Sequence, residues 1–312
     1  MRVYRYVDAS RRGLQPRVAI APRDGEPVDV VDAWTRASGG FDGDVGPALT
    51  STLQLIEAGP EMWAAVEDAA GAVQGDEDLT IPEDARLLCP LDRLSSLRDF
   101  LAFESHVKLG AMRRNRSVPE YWYEAPVYYK GNHRSIIGPG DVCPWPRYTE
   151  RLDFELELAM VVGRGGRDVA RDDAHEHVFG FTIMNDFSAR DIQAREMSAW
   201  LGPAKGKDFA TALGPCIVTA DEIGAEPDLE MACSVNGEER GRARSSEMHW
   251  SWADMIAHVS QDEDIYPGDV YGSGTPGGCC GLDQGRFIGW NDLVDLEVDV
   301  VGLLCNVVGA DE

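Results

Sequence analysis

Arg151-Leu152-Asp153-Phe154-Glu155-Leu156-Glu157-Leu158-Ala159-Met160-Val161-Val162-Gly163 changes character midway. Its first half alternates acid and apolar residues, and its second half is continuously apolar and ends in glycine. Alternation has the two-residue period of a strand. It puts Asp153, Glu155 and Glu157 on one face and Phe154, Leu156 and Leu158 on the other. One reading is an exposed antiparallel strand with a solvated acidic face. The run into Ala159-Met160-Val161-Val162 fits better with a strand that enters a core. Carboxylates turned into a cavity repel one another and lose hydration, so they need a cation or a proton. The stretch therefore predicts a metal site, whose other ligands must lie elsewhere in the chain.

The 312 residues suffice for one large domain, or for a large and a small one. No apolar run reaches the ~20 residues of a membrane span. Residues 1–6 lack the apolar segment and cleavage site of a secretory signal, so the expected location is the cytoplasm. The seven cysteines include no C-x-x-C pair and read as thiols in a reducing compartment, against a zinc–thiolate site. A net charge of −25 argues against nucleic acid or an anionic membrane as a partner held by bulk charge. Only four lysines stand against 25 arginines. A lysine-poor acidic surface suits solubility at high salt, and a GC-rich genome would also favour arginine. Either way, Lys108, Lys130, Lys205 and Lys207 each have a claim to a specific task.

Residues 1–85 read as a small N-terminal unit, with strands at 2–7, 17–21 and 28–31 and helices at 47–57 and 60–73. Nothing in it suggests chemistry. In the second unit, the spacing of Leu97, Phe100, Leu101, Phe103 and Val107 is compatible with a helix. Glu104 and His106 would not share a face of that helix. Residues 108–130 are rich in Arg, Pro and Tyr, which suits a lid or binding loop for an anionic substrate, or an interface. His175-Glu176-His177 reads as a polar helix end rather than a zinc pair. The buried-strand run 178–184 stops at Asn185-Asp186, just before a helix start at Ser188-Ala189-Arg190-Asp191. A carboxylate there is either functional or an ordinary cap. Further strands are expected at 213–218, 229–236 and 293–301 and within the Pro/Gly-rich 267–278, and a helix at 252–260.

Several short motifs follow one another in order: Arg98-Asp99-Phe100, Glu104-Ser105-His106, Tyr129-Lys130-Gly131-Asn132, Glu155-Leu156-Glu157, Asn185-Asp186-Phe187-Ser188-Ala189-Arg190-Asp191-Ile192-Gln193, Gly206-Lys207-Asp208-Phe209 and Gly272-Ser273-Gly274-Thr275. Through them the chain, over roughly residues 86–308, resembles the fumarylacetoacetate hydrolase family. The resemblance implies an α+β, mostly β fold: a mixed β-roll catalytic domain, here 86–312, with a small N-terminal domain, here 1–85, in a homodimer. It implies Mg²⁺, Mn²⁺ or Ca²⁺ held by Glu155, Glu157 and Asp186, with Asp99 as a possible fourth ligand. That agrees with the hard-cation reading of the acidic strand. It implies His106 as the catalytic base, Arg190, Gln193 and Lys207 beside it, and Tyr129, Gly274 and Thr275 as substrate contacts. Long family members orient the histidine with a late glutamate, but residues 286–290 here contain no acid. Glu104 is therefore the expected partner of His106. Asp153 matches no family position and is expected at the rim. Met197 replaces a family tyrosine, which points away from fumarylacetoacetate itself as substrate.

The activity so implied is metal-dependent hydrolysis of a C–C bond in a 1,3-diketo acid such as an acylpyruvate. His106, helped by Glu104, would take a proton from water. Lys207 and Gln193 would stabilise the resulting oxyanion. The alternative is an isomerase, decarboxylase or dehydratase acting on a 2-oxo acid through its enolate. A protein that only binds Mg²⁺ is the third reading.

Overall fold

Residues 1–10, 13–39 and 45–309 are described by a computed structural model. The second half of the acidic stretch forms the strand Leu156–Val162, buried throughout. It pairs antiparallel with Val178–Asn185 on one side and with Asp269–Gly272 on the other. Leu158, Met160 and Val162 enter one core, and Ala159 and Val161 enter another on the opposite face. Burial on both faces explains the unbroken apolar run. The first half behaves differently. Leu152–Asp153 is a separate short strand against Ser188–Ala189, and Glu155 makes only an isolated bridge to Cys280. The alternation is thus interrupted between Asp153 and Glu157.

Around this strand runs a large mixed sheet in the order Val28–Asp29, Gly13–Ala21, Arg2–Asp8, Thr211–Thr219, Val178–Asn185, Leu156–Val162, Asp269–Gly272, Ser96–Phe100, Tyr128–Lys130. A five-stranded sheet, Glu238–Arg244, Glu230–Val235, Leu293–Val298, Gly302–Gly309 and Val142–Pro144, packs over one face. Met231, Leu296 and Leu304 share a core there with Leu158 and Met160. The other face is covered by helices of the first 85 residues, where Ala33, Leu53, Ile56 and Val66 meet Ala159, Val161 and Phe179. Strand Arg2–Asp8 pairs both with Gly13–Ala21 and with Thr211–Thr219, so the sheet continues across residue 85. The fold is α+β with sheet predominating. Among the described residues, no helix is long and apolar enough to cross a membrane.

Helix Trp252–Ser260 falls where its apolar spacing placed it, behind a capping box of Ser251 and Asp254. Helix Pro60–Ala72 also matches its expected span. Residues 28–31 divide between strand Val28–Asp29 and helix Val30–Ser38, which the Asp29 side chain caps. The helix expected at 47–57 is two, Gly46–Thr50 and Thr52–Ala58, because Ser51 leaves helical geometry to cap the second. The largest correction concerns residues 97–107. Ser96–Phe100 is a strand parallel to Asp269–Gly272, and the helix begins later, at Glu104–Arg113. Leu97 and Phe100 fit helical spacing by coincidence; as strand residues they fill two different cores.

Candidate active site

The sheet register gathers the acids. Gly272 lies opposite Asp99 on one side and Ala159 on the other, and Asp99 lies opposite Tyr129. Asp99 and Glu157 therefore meet around Gly272. A Cβ added to Gly272 would sit 2.7 Å from Glu157 Oε2 and 2.8 Å from Asp99 Oδ1, so only glycine leaves the space open. Leu156 pairs with Asn185, whose Oδ1 accepts the Glu155 N–H at 3.1 Å. The Asp186 N–H donates to the Glu155 carbonyl at 3.2 Å. The outcome is a buried group, Asp99, Glu155, Glu157 and Asp186, in which one oxygen from each lies within 4.8 Å of the others.

These carboxylates do not share one electrostatic state. Burial first, then the charge of Asp186, pushes the Asp99 carboxyl well above its usual range. Burial, then Asp99 and Asp186, does the same to Glu157. Burial also works against ionised Glu155, but Arg190 and Lys207 outweigh it and hold that carboxyl well below its usual range. Lys207 Nζ donates to Glu155 Oε2 and to Asp186 Oδ2, each at 2.5 Å. Asp99 Oδ1, Glu157 Oε1 and Asp186 Oδ1 accept no hydrogen bond from an amide, ammonium, guanidinium or hydroxyl donor among the described residues, and the Asp99 and Glu157 carboxyls lie close enough to share a proton. Buried carboxylate oxygens without such donors are costly. Several such oxygens converging on one point are the donor set of a hard divalent cation. The residues present therefore fit Mg²⁺, Mn²⁺ or Ca²⁺.

Beside this group stands a histidine held by a different acid from the one expected. His106 Nδ1 lies 2.9 Å from Asp283 Oδ2. Arg113 Nη1 donates to Asp283 Oδ1 and the Gly278 N–H to Asp283 Oδ2, both at 2.9 Å. Burial alone would raise the Asp283 carboxyl; His106, Gly278 and Arg113 bring it below its usual value. Glu104 is corrected as the partner. It accepts from Tyr123 Oη at 2.7 Å and pairs with Lys108 Nζ at 2.8 Å. Two residues apart on helix Glu104–Arg113, Glu104 and His106 point to different sides.

Residues 96–309 match the Fumarylacetoacetate (FAA) hydrolase C-terminal family. The chain belongs to the fumarylacetoacetate hydrolase family. It is 37% identical over 268 residues to the mitochondrial oxaloacetate tautomerase FAHD2A of Homo sapiens, covering 84% of this chain and 81% of that one. It is 32% identical over 200 residues to the oxaloacetate tautomerase YisK of Bacillus subtilis, an alignment spanning 64% of each chain. Among solved structures, the fumarylacetoacetate hydrolase of the psychrophile Exiguobacterium antarcticum covers the whole of both chains with a TM-score of 0.77 at 26% identity.

In this family member the other expected site residues occupy defined places. Arg190 Nη2 donates to Glu155 Oε1 at 2.8 Å and Nη1 to Gln193 Oε1 at 3.1 Å. Tyr129 Oη donates to Asp186 Oδ2 at 2.7 Å. Burial, then Asp186, pushes the Tyr129 phenol well up, so it remains a donor. The Gly274 N–H donates to Glu157 Oε2 at 2.9 Å, and Thr275 Oγ1 donates to the Cys279 carbonyl at 3.2 Å. Asp153 is not at the rim. It is fully buried and accepts from Arg190 Nε at 2.7 Å and from the Gly281 and Leu282 N–H groups at 2.8 Å. Two acids thus escaped the sequence reading as parts of the site, Asp283 and Asp153. The alternation with Glu155 was a signal for Asp153. Asp283 lies three residues before the acid-free segment 286–290.

Proposed function

We propose that this chain is a divalent-cation-dependent enzyme acting next to the keto group of a small anionic 2-oxo acid, with keto–enol interconversion of a 2-oxo diacid as its reaction. The observation that carries the reading is the buried Asp99–Glu155–Glu157–Asp186 group with its three oxygens that lack an amide, ammonium, guanidinium or hydroxyl donor among the described residues. The choice of reaction is supported by the oxaloacetate tautomerases among the relatives, FAHD2A of Homo sapiens and YisK of Bacillus subtilis included.

Held by Glu155, Glu157, Asp186 and Asp99, a Mg²⁺, Mn²⁺ or Ca²⁺ ion would supply Lewis acidity to the substrate's oxygens. The chain's own groups would do the rest. Asp283 accepts a hydrogen bond from the protonated Nδ1 of His106 and fixes the ring. That leaves Nε2 to take a proton from the carbon beside the keto group and to return the same proton to the enolate oxygen, which gives the enol. Lys207 places a positive charge where negative charge develops on oxygen. Arg190, locked between Asp153 and Glu155, holds the Glu155 carboxylate in place. The compartment we propose is the cytoplasm and the assembly a homodimer, from composition and family resemblance.

The second reading is C–C hydrolysis of an acylpyruvate. The His106–Asp283 pair favours it, because the same Nε2 can take a proton from water. A screen of oxaloacetate and acylpyruvates, with and without EDTA and with products weighed by mass spectrometry, separates the two. Interconversion leaves the mass unchanged but speeds the change in the enol's ultraviolet absorbance, and hydrolysis yields two acids. Activity that persists in EDTA sinks both. His106→Ala should lower kcat by about 10²–10⁴-fold with Mg²⁺ binding retained; near-wild-type turnover would remove His106 from the proton transfer.

A further inference from the structure

We infer that His106, Cys280 and Asp283 form a second cation site, for a thiophilic ion such as Zn²⁺, and that filling it shuts the enzyme off. One donor atom from each of the three residues lies within 4.8 Å of the other two. Cys280 and the Asp283 side chain are fully buried, while His106 keeps 13% of its side chain exposed and gives the site a way in. The three donors come from separate parts of the chain. His106 is on helix Glu104–Arg113, Cys280 sits where the backbone bridges to Glu155, and Asp283 is in the short helix that follows, Gly281–Gln284. No C-x-x-C or H-x-H spacing announces such a site.

Donor chemistry separates it from the acidic group. Sulfur, nitrogen and oxygen together suit Zn²⁺, whereas an all-carboxylate set suits Mg²⁺ or Ca²⁺. Tetrahedral zinc with bonds of about 2.0–2.3 Å needs donors about 3.3–3.7 Å apart, so donors now within 4.8 Å would close by at most about 1.5 Å, and His106 Nδ1 and Asp283 Oδ2, now 2.9 Å apart, would open to admit the ion. Arg113 and Gly278 anchor the Asp283 carboxylate in place for this. On binding, the Cys280 thiol releases its proton to solvent. Thiolate and carboxylate then balance the two charges of the ion, neutral His106 is the third ligand, and a fourth position stays open. The loss of activity rests on the function proposed above, since the ion occupies the His106–Asp283 pair; the binding does not.

The test uses Co²⁺ as a coloured probe on Mg²⁺-saturated protein. Wild type should show a near-ultraviolet thiolate-to-cobalt charge-transfer band that Zn²⁺ abolishes. The band should survive in Cys279→Ser and vanish in Cys280→Ser. It should weaken in His106→Ala, which carries the same test should Cys280→Ser fail to fold. In excess Mg²⁺, Zn²⁺ should inhibit turnover, and Cys280→Ser should need at least about tenfold more Zn²⁺ while keeping its zinc-free rate. No band in wild type, or a band unchanged in Cys280→Ser and His106→Ala, overturns the site. An intact band with no turnover of any 2-oxo acid would fail the proposed function alone.

Discussion

Asp283 has His106 on one carboxylate oxygen and Arg113 on the other, with the Gly278 N–H completing its shell. Such a carboxylate fixes a ring rather than reacting itself. Asp283→Asn should therefore lower kcat by about 10²-fold and leave KM nearly unchanged; steady-state kinetics decides. Its carboxyl lies below the usual value in the folded chain. It therefore adds stability that is complete above the unfolded-state value of about 3.9 and is lost as pH falls through the lower folded value. Urea unfolding from pH 5 downward should show a shallower acid decline in Asp283→Asn than in wild type. Asp153 plays the same part for Arg190, and Asp153→Asn should cost on the order of 3 kcal/mol, read as a lower urea midpoint. The sequence pointed to Glu155, Glu157 and Asp186, which the fold brings together with Asp99, because an acid–apolar alternation and a strand end are local signals. Asp283 acts on a residue 177 positions away, and Asp153 on one 37 positions away, distances over which no periodicity operates.

Helix Glu104–Arg113 carries His106 yet has no buried residue. Its hold on the body includes the paired grip of His106 and Arg113 on Asp283. An element with so little apolar burial sits at the low end of local stability. Arg113→Ala should speed amide hydrogen exchange across 104–113 while changing global stability by less than about 1 kcal/mol. Exchange unchanged in that helix would mean that other contacts secure it. The strand before it, Ser96–Phe100, shows why this region misled the apolar spacing. Its partner Asp269–Gly272 lies far along the chain, and pairing with it overrode the local pattern. Elements whose burial is set locally, such as Trp252–Ser260, were legible to the residue.

At the scale of the molecule, acids from Ser96–Phe100, from Leu156–Val162 and from the end of Val178–Asn185 converge because their strands lie in one sheet. That sheet extends through Thr211–Thr219 into Arg2–Asp8. A fragment of residues 86–312, cut at the expected domain boundary, tests whether the second unit stands alone. We expect it to be insoluble or to bind Mg²⁺ poorly; a soluble fragment with full affinity would show that it does. The reason lies in what the cut would uncover. Val218 and Ile217 would lose their ladder partners, and Ala159, Val161 and Phe179 would lose the helices above them. A bare strand edge beside a bare apolar face is a template for sticking to other copies. The first 85 residues, which hold no candidate chemistry, would then serve as a built-in guard against aggregation.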